Sequence, residues 1–547
     1  MEDYKKYFFE RPLVIDNMST QMRVLIATVL SLIVFIGYDY LFMPKPTPKV
    51  NDANRTVSLQ QKESVSTIES APAAPTAMDV KEESKKDTSA PVESGGTLSS
   101  VIATVDTANM KMEFDALGRI SQVYLKDRQY RDEEGEELKL FNSPKIPKPL
   151  EIRFTDAALN ELAFKTPYSV STSSVTLNGE AKTLVFTQKL GDLIVEKIVK
   201  IYPDHHYEFT VNLSESKPFY ISPGYRPDIR IDAYTVHGAM VEEADGTLTI
   251  IEDGDAKGTE AFRKARIAVA FDRYYATAFY DFDKGLDVVV NKDAEENPVL
   301  FVNGESGRVV NGYIGPKEYK ILNAIHPELT KIIEFGWFTF IAAPVFKILM
   351  WIHNYVPNWG WAIVVLTLLV RIVLYPLTYK GMVSMYKLKE LAPKIKEIQA
   401  KYKGDPQKMN AHMMELYKKH KANPLGGCLP MLLQIPVFFA IYRVLLNAIE
   451  LKGAEWILWI DDLSVMDPYY VLPVLMGASM WAHQMVTPSN FTDPMQEKIF
   501  KWLPVIFTFF FVTFPAGLVL YWLTNNIFSI AQQLLVNKML EKNKKAE

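Results

Sequence analysis

The chain has 547 residues, with 60 Lys plus Arg against 64 Asp plus Glu and a formal charge of −4, which excludes a polyanion binder working by bulk charge. Its length allows about three or four domains at roughly 150 residues each. The single cysteine, Cys428, excludes a disulfide framework or a cysteine-based zinc site within one chain.

Residues Val24 to Phe42 form an apolar run of about bilayer-spanning length, preceded by Lys5, Lys6, Arg11 and Arg23. No small-x-small cleavage site follows it, only Tyr38, Tyr40 and then Pro44, Pro46 and Pro48. The expectation is a cytoplasmic N-terminus over 1–23 and an uncleaved anchor over 24–43. Residues 44–100 are rich in Pro, Ser, Thr, Ala, Lys and Glu, with almost no aromatic residues, and read as a disordered linker.

From 101 to about 330 the pattern becomes short runs of period two. Tyr207, Phe209, Val211 and Leu213 alternate with Glu208, Thr210 and Asn212. Further β-rich runs are LVF (184–186), ARIAVAF (265–271), LDVVV (286–290) and PVLFV (298–302), punctuated by turns such as Leu117-Gly118 and Asn303-Gly304. Many short strands with regular turn signals predict a large β-sandwich domain.

Beyond Phe335 the chain is mostly apolar. Candidate spans are Trp359–Tyr379, Leu425–Leu446, Tyr469–Val486, Ile499–Phe514 and Leu518–Val536, the last two separated by the breaker Pro515-Ala516-Gly517. Residues 380–421 carry eleven lysines against four acids, so the positive-inside rule makes that loop cytoplasmic. Residues 447–467 carry five acids against Lys452 and suit the opposite side; the tail 537–547, with Lys538, Lys542, Lys544 and Lys545, is cytoplasmic again. One span sends the β-domain out and one must return before Lys380. The stretch 336–354 is therefore expected to be an interfacial amphipathic helix, with Pro344 bending it and Lys347 and His353 toward headgroups. Six transmembrane helices result: the first anchor and a five-helix core over 358–536.

In the lysine loop, Leu388, Leu391, Ile395, Ile398 and Tyr402 step by three and four, as do Met409, Met413, Leu416 and His420. Gly404-Asp405-Pro406 supplies a stop, an N-cap and a first-turn proline, so 380–421 is expected to form an antiparallel helical hairpin.

Arg371 is the most informative residue. It lies nine residues before Lys380, about 13 Å along a helix, too far for its stem to snorkel out. No Asp or Glu occurs within the five C-terminal candidate spans, and a central Arg costs at least about 2.5 kcal/mol even on insertion scales. A polar environment is required. Its candidates are Thr367, on the same helix face, Gln434 in the third span, and Tyr521, Trp522, Asn525 and Asn526 in the last. Together they would make a wet, positively charged groove; alternatively, the polar residues are hydrogen-bonding glue between helices. Arg443 stands near the outer end of its span, within reach of headgroups. Ile499–Phe514, about 24 Å of helix, is short for a hydrocarbon core of about 30 Å, which predicts local bilayer thinning.

Other signals are weaker. Adjacent His205 and His206 point to opposite strand faces, Trp337, Trp351, Trp359 and Trp361 suit interface anchoring, and no P-loop, GxGxxG, HExxH or nucleophile elbow supports an enzyme. No cofactor, metal or specific nucleic-acid site is implied.

The stretches NWGWAIVVLTLLVRIVLYPLT (358–378), NPLGGCLPMLLQIPVFFAIYRVL (423–445), DPYYVLPVLMG (467–477) and DPMQEKIFKWLPVIFTFFFVTFPAGLVLYWLTNNIFSIAQQ (493–533) resemble the YidC/Oxa membrane protein insertases. The extra first span and β-domain are similar to the Gram-negative form. That resemblance implies a bacterial inner membrane, a periplasmic super-β-sandwich, and a groove open to cytoplasm and lipid whose intramembrane Arg contacts substrate. Carried onto this chain, the contact falls on Arg371, with Thr367, Gln434 and Trp522 at neighbouring positions; Trp522 stands where many relatives have Tyr. The implied partners are nascent membrane proteins, Sec translocon components, membrane lipids, and the ribosome or targeting factors at the lysine-rich hairpin, the short basic tail being a weak ribosome dock. The implied function is membrane protein insertion and chaperoning. A solute transporter or channel is the alternative, opposed by the lack of intramembrane carboxylates and of matching halves. A carbohydrate-handling protein, argued from the sandwich, is a third class.

Overall fold

The computed structural model describes residues 98–132, 135–145, 147–229, 236–402, 404–420, 429–487 and 494–546. The expected anchor, nearly all of the expected linker, and Cys428 lie outside the described residues.

Nineteen strands among the described residues form three sheets. The nine-stranded sheet runs from the edge strand Leu248–Glu252 through Gly238–Glu242, Ile267–Phe271, Tyr275–Tyr280, Val309–Pro316, His206–Leu213, Leu193–Ile201 and Lys182–Leu190 to Ser169–Val170. One five-stranded sheet orders Glu260–Ala265, Leu286–Lys292, Pro298–Asn303, Phe219–Ser222 and Glu151–Phe154. The other orders Leu138–Lys139, Ile120–Leu125, Met110–Asp115, Val101–Asp106 and Ser174–Thr176, the last pair parallel. A short helix, α1 (Ala157–Lys165), is capped by the Asp156 carboxylate on the Leu159 N–H.

Period-two patterning sets the faces. Tyr207, Phe209 and Val211 are buried in one shared core with Phe114, Phe186 and Phe219, while Glu208, Thr210 and Asn212 are half-buried. The run ARIAVAF behaves differently. It divides at Arg266: Ala265 ends a strand of one sheet, and Ile267–Phe271 belongs to another. All five residues of the second piece are buried, because both faces are covered. Ala268 and Ala270 face the β-core. Ile267, Val269 and Phe271 join Leu322, Leu329 and Ile332 in a second apolar cluster that continues into the helices.

That continuation begins with α2 (Tyr319–Ile325) and α3 (Thr339–Tyr355). The latter packs on α4 (Trp359–Lys401) and α6 (Leu429–Asn447) through Ala342, Val345, Phe346 and Leu349, leaving Phe340, Ile348, Trp351 and Tyr355 exposed. Lys347 is exposed, and the half-buried His353 stacks on Trp359 at 3.7 Å.

Helix α4 is the largest departure in element length. The expected span and the first arm of the lysine hairpin are one continuous 43-residue helix, with Pro376 and Pro393 inside it. Asp405 then caps α5 (Pro406–Lys419) by accepting from the Lys408 N–H, and Leu391 and Ile395 pack with Met413, Leu416 and Tyr417 between the two arms. The remaining helices are α7 (Val471–Val486), α8 (Pro494–Phe511) and α9 (Ala516–Ala546), the last extending through the basic tail. Helix α7 has 16 residues and α8 has 18, the latter beginning in the polar stretch before Ile499 and ending at Phe511. Helix α9 packs on both α4 and α7. By length and composition, one helix among the described residues, Trp359–Lys401, is long and apolar enough to cross a membrane; Gln434–Asn447 is a shorter apolar segment.

Candidate functional site

Arg371 sits half-buried on α4, facing α9. Its Nε donates to Asn525 Oδ1 at 2.8 Å, and its Nη2 donates to the Asn525 carbonyl at 3.2 Å and to Ser529 Oγ. Ser529 in turn donates to the Asn525 carbonyl at 2.6 Å. No carboxylate lies within ion-pair distance of the guanidinium among the described residues. The charge is therefore solvated by neutral acceptors and not neutralised. This orients the cation without cancelling its field, which in a low-dielectric surrounding is felt strongly by an approaching anion or dipole.

Sequence spacing explains the geometry. Asn525 and Ser529 are four residues apart on α9, and Gln532 follows three later, so all three share one face. On α4, Arg371 and Thr378 are seven apart and share the opposing face. Gln532 Nε2 donates to Thr378 Oγ1 at 3.1 Å, one step further along the same seam. Its Oε1 is buried with no hydrogen-bond partner.

A cleft opens beside the guanidinium. Arg371, Thr378, Gln434, Tyr521 and Asn525 supply its polar lining, and Val370, Leu374, Leu377 and Val437 its apolar lining. Leu368, Leu369, Ile372 and Val373 on the outward side of α4 are exposed. The cleft thus lies where a polar seam meets an apolar outer surface.

Four of the sequence-predicted residues meet here: Arg371, Gln434, Tyr521 and Asn525. Three do not line the cleft. Thr367 is 1% exposed and donates to the Ile363 carbonyl of its own helix at 2.7 Å. Trp522 packs among Phe438, Phe507 and Phe511, with ring centroids 4.5, 5.7 and 4.9 Å away. Asn526 donates to Ser479 Oγ at 2.9 Å, joining α9 to α7, the arrangement expected of interhelical glue. Ser529, Thr378 and Gln532 were missed, although Ser529 and Gln532 stand four and seven residues after Asn525, and Thr378 seven after Arg371. Arg443 stands near the C-terminal end of α6, beside Glu334 at the join to the β-domain.

The histidine pair is structural. His205 is fully buried, and burial pushes it down to about 4, while His206 stacks on Tyr202 at 3.9 Å. Among the described residues no group of three or more His, Cys, Asp or Glu is arranged to hold a metal.

Comparison with known proteins places this architecture. A family profile described as "60Kd inner membrane protein" matches residues 351–544, and one described as "YidC periplasmic domain" matches residues 269–348. The chain is 51% identical over 529 residues to the membrane protein insertase YidC of Campylobacter jejuni, covering 96% of this chain and 98% of that protein. The chain belongs to the YidC family. It is also 52% identical over 533 residues to the Wolinella succinogenes YidC, covering 97% of each, and 46% identical over 557 residues to a Helicobacter pylori YidC, covering 97% and 98%. These alignments run through both the β-domain and the helical core, so YidC relatives share the whole of this two-part chain.

Proposed function

We propose that the chain is an insertase that places nascent proteins in the bacterial inner membrane and assists their folding, alone or beside the Sec translocon. Its near full-length identity to proteins named as insertases supports this reading. The same relatives remove the basis for a solute transporter. In the proposed arrangement α4, α6, α7, α8 and α9 cross the membrane, preceded by the N-terminal anchor. Both chain ends and the lysine hairpin are cytoplasmic, and the β-domain is periplasmic.

The observation that carries the mechanism is the Arg371 guanidinium held by Asn525 and Ser529 without an acid. A polar tail of the substrate approaches the cleft from the cytoplasm. Arg371 lowers the cost of holding its acidic or hydrogen-bonding groups below the headgroups, where a bare charge is costly. The substrate's apolar segment leaves past the exposed Ile372 and Val373 side of α4 into lipid, and removal of that apolar surface from water drives the step. No covalent chemistry is required. A photo-crosslinker replacing Val437, which lines the cleft and leaves Arg371 in place, is expected to trap nascent membrane segments. If it captures none during active synthesis, the cleft is not the substrate path.

A further inference from the structure

Between α6 and α7 the chain makes a tight turn, Ile457–Ile460, closed by the Ile460 N–H on the Ile457 carbonyl at 3.1 Å. Leu458 at its tip has a φ of 56°, a left-handed conformation that a leucine adopts only under constraint. Its side chain is 80% exposed, with Ile457 beside it also exposed. A strained backbone that delivers a large apolar side chain into water has no folding rationale of its own.

The turn is held firmly from both sides. The Trp456 N–H donates to the Ile460 carbonyl at 2.9 Å, and the Trp456 ring lies so close to Gly360 that a Cβ there would stand 2.1 Å from it. Trp459 Nε1 donates to Asp467 Oδ1 at 2.9 Å, and the same buried carboxylate accepts the Tyr469 and Leu472 N–H groups at the start of α7. The tip is thereby fixed to the N-terminal ends of α4 and α7. Trp361, Tyr469 and Tyr470 are exposed at those same ends.

We infer that Ile457–Trp459 is an anchor that dips into the periplasmic leaflet of the bilayer and sets the depth of the helical core. The occupant is lipid acyl chain. The exposed residues flanking the tip, Glu455 and Asp461, are acidic, so anionic headgroups are not what it attracts. The neighbouring tryptophan and tyrosines are the residue types that settle at a membrane–water boundary. A fixed tip at the start of α4 also fixes how deep Arg371 lies, twelve or so residues along the same helix. This inference rests on the reading that α4 and α7 cross the membrane.

The test uses the full chain in phosphatidylethanolamine–phosphatidylglycerol proteoliposomes, with Cys428→Ser removing the native thiol. Leu458→Cys carries an environment-sensitive fluorophore, and Val373→Cys, on the exposed side of α4, serves as the reference. Both labels are expected to be quenched several-fold more by acyl-chain nitroxides than by aqueous iodide. Lipid quenching at 373 with iodide quenching at 458 overturns the anchor and leaves the membrane core standing. Absence of lipid quenching at both positions removes the underlying reading as well. Shielding of 458 from both quenchers that disappears on diluting the protein in lipid assigns the tip to a second copy of the chain and also overturns the anchor.

Discussion

Arg371 illustrates how a charge without an acid beside it is kept usable. An acid in place of Asn525 would cancel the field that the site depends on, whereas an amide and a hydroxyl hold the guanidinium in place and leave its charge intact. Arg371→Ala is expected to slow insertion of substrates with charged tails more than of weakly charged ones, measured on matched reporter substrates. Equal losses for both sets would count against the electrostatic role. A hydrogen bond to a charged group is worth about 1.5–3 kcal/mol. Asn525→Leu is therefore expected to lower insertion of charged-tail substrates by roughly tenfold or more. Ser529→Ala, which removes one acceptor of several, should cost less. Thr367→Val supplies the contrast. Its hydroxyl is already satisfied by Ile363, so insertion should stay close to that of the parent, and a large loss would show that Thr367 reaches substrate after all.

At the scale of elements, α9 carries two polar edges. Adjacent Asn525 and Asn526 are about 100° apart around a helix, so they serve different neighbours: Asn525 with Ser529 and Gln532 toward α4, Asn526 and Asn537 toward α7. The two asparagines were legible as polar residues in an apolar run. Which neighbour each faced was not, because helix rotation is set by packing against partners remote in sequence. The hairpin arms were legible for the opposite reason, since their stop, cap and apolar spacing are all local. The unbroken length of α4 was not, because the change from apolar to lysine-rich sequence at Lys380 reads as the end of a span, while the helix continues through it to Lys401. The division of ARIAVAF at Arg266 was not legible, because burial on both faces erases the alternation that marks register. Small residues mark close approach: a Cβ on Gly477 of α7 would stand 1.9 Å from Thr508 Oγ1 of α8. Gly477→Leu should separate these helices and cost about 1–3 kcal/mol by overpacking, read as a lowered melting temperature in detergent. An unchanged melting temperature would show that α7 and α8 do not approach this closely.

For the whole molecule, the join between β-domain and core is both apolar and polar. Beyond the shared apolar cluster, Arg273 Nε donates to the Leu446 carbonyl at 2.9 Å and Gln129 Nε2 to the Ile449 carbonyl at 3.0 Å. Lys452 Nζ donates to the Gln129 and Arg131 carbonyls, and Glu450 Oε1 accepts the Tyr319 N–H at 3.0 Å. Burial pushes the Glu450 carboxyl up to about 7, with Glu318 adding to the shift and Lys320 opposing it. The folded chain thus holds this proton to higher pH than the unfolded chain. Stability from this group is fully present below about 4.5, falls as pH rises, and is lost above about 7, on the order of 3 kcal/mol in all. Glu450→Gln should raise the melting temperature near pH 8 while changing little near pH 4. A parallel offset at both pH values would assign the effect to packing. The helical core was legible because its apolar runs are long and its charges asymmetric; this join was not, because its partners are some 130 to 320 residues apart.

The unbroken α4 has a mechanical meaning. At about 1.5 Å per residue, some 45 Å of one rod separates Arg371 from the hairpin tip, while the Gly360 end is pinned beneath Trp456. In the proposed membrane arrangement, a factor gripping the cytoplasmic arm would work a lever whose fulcrum lies at the far membrane face. A few degrees of swing there would displace the guanidinium against Asn525, so delivery of a client and readiness of its receiving charge could be tied together by leverage alone.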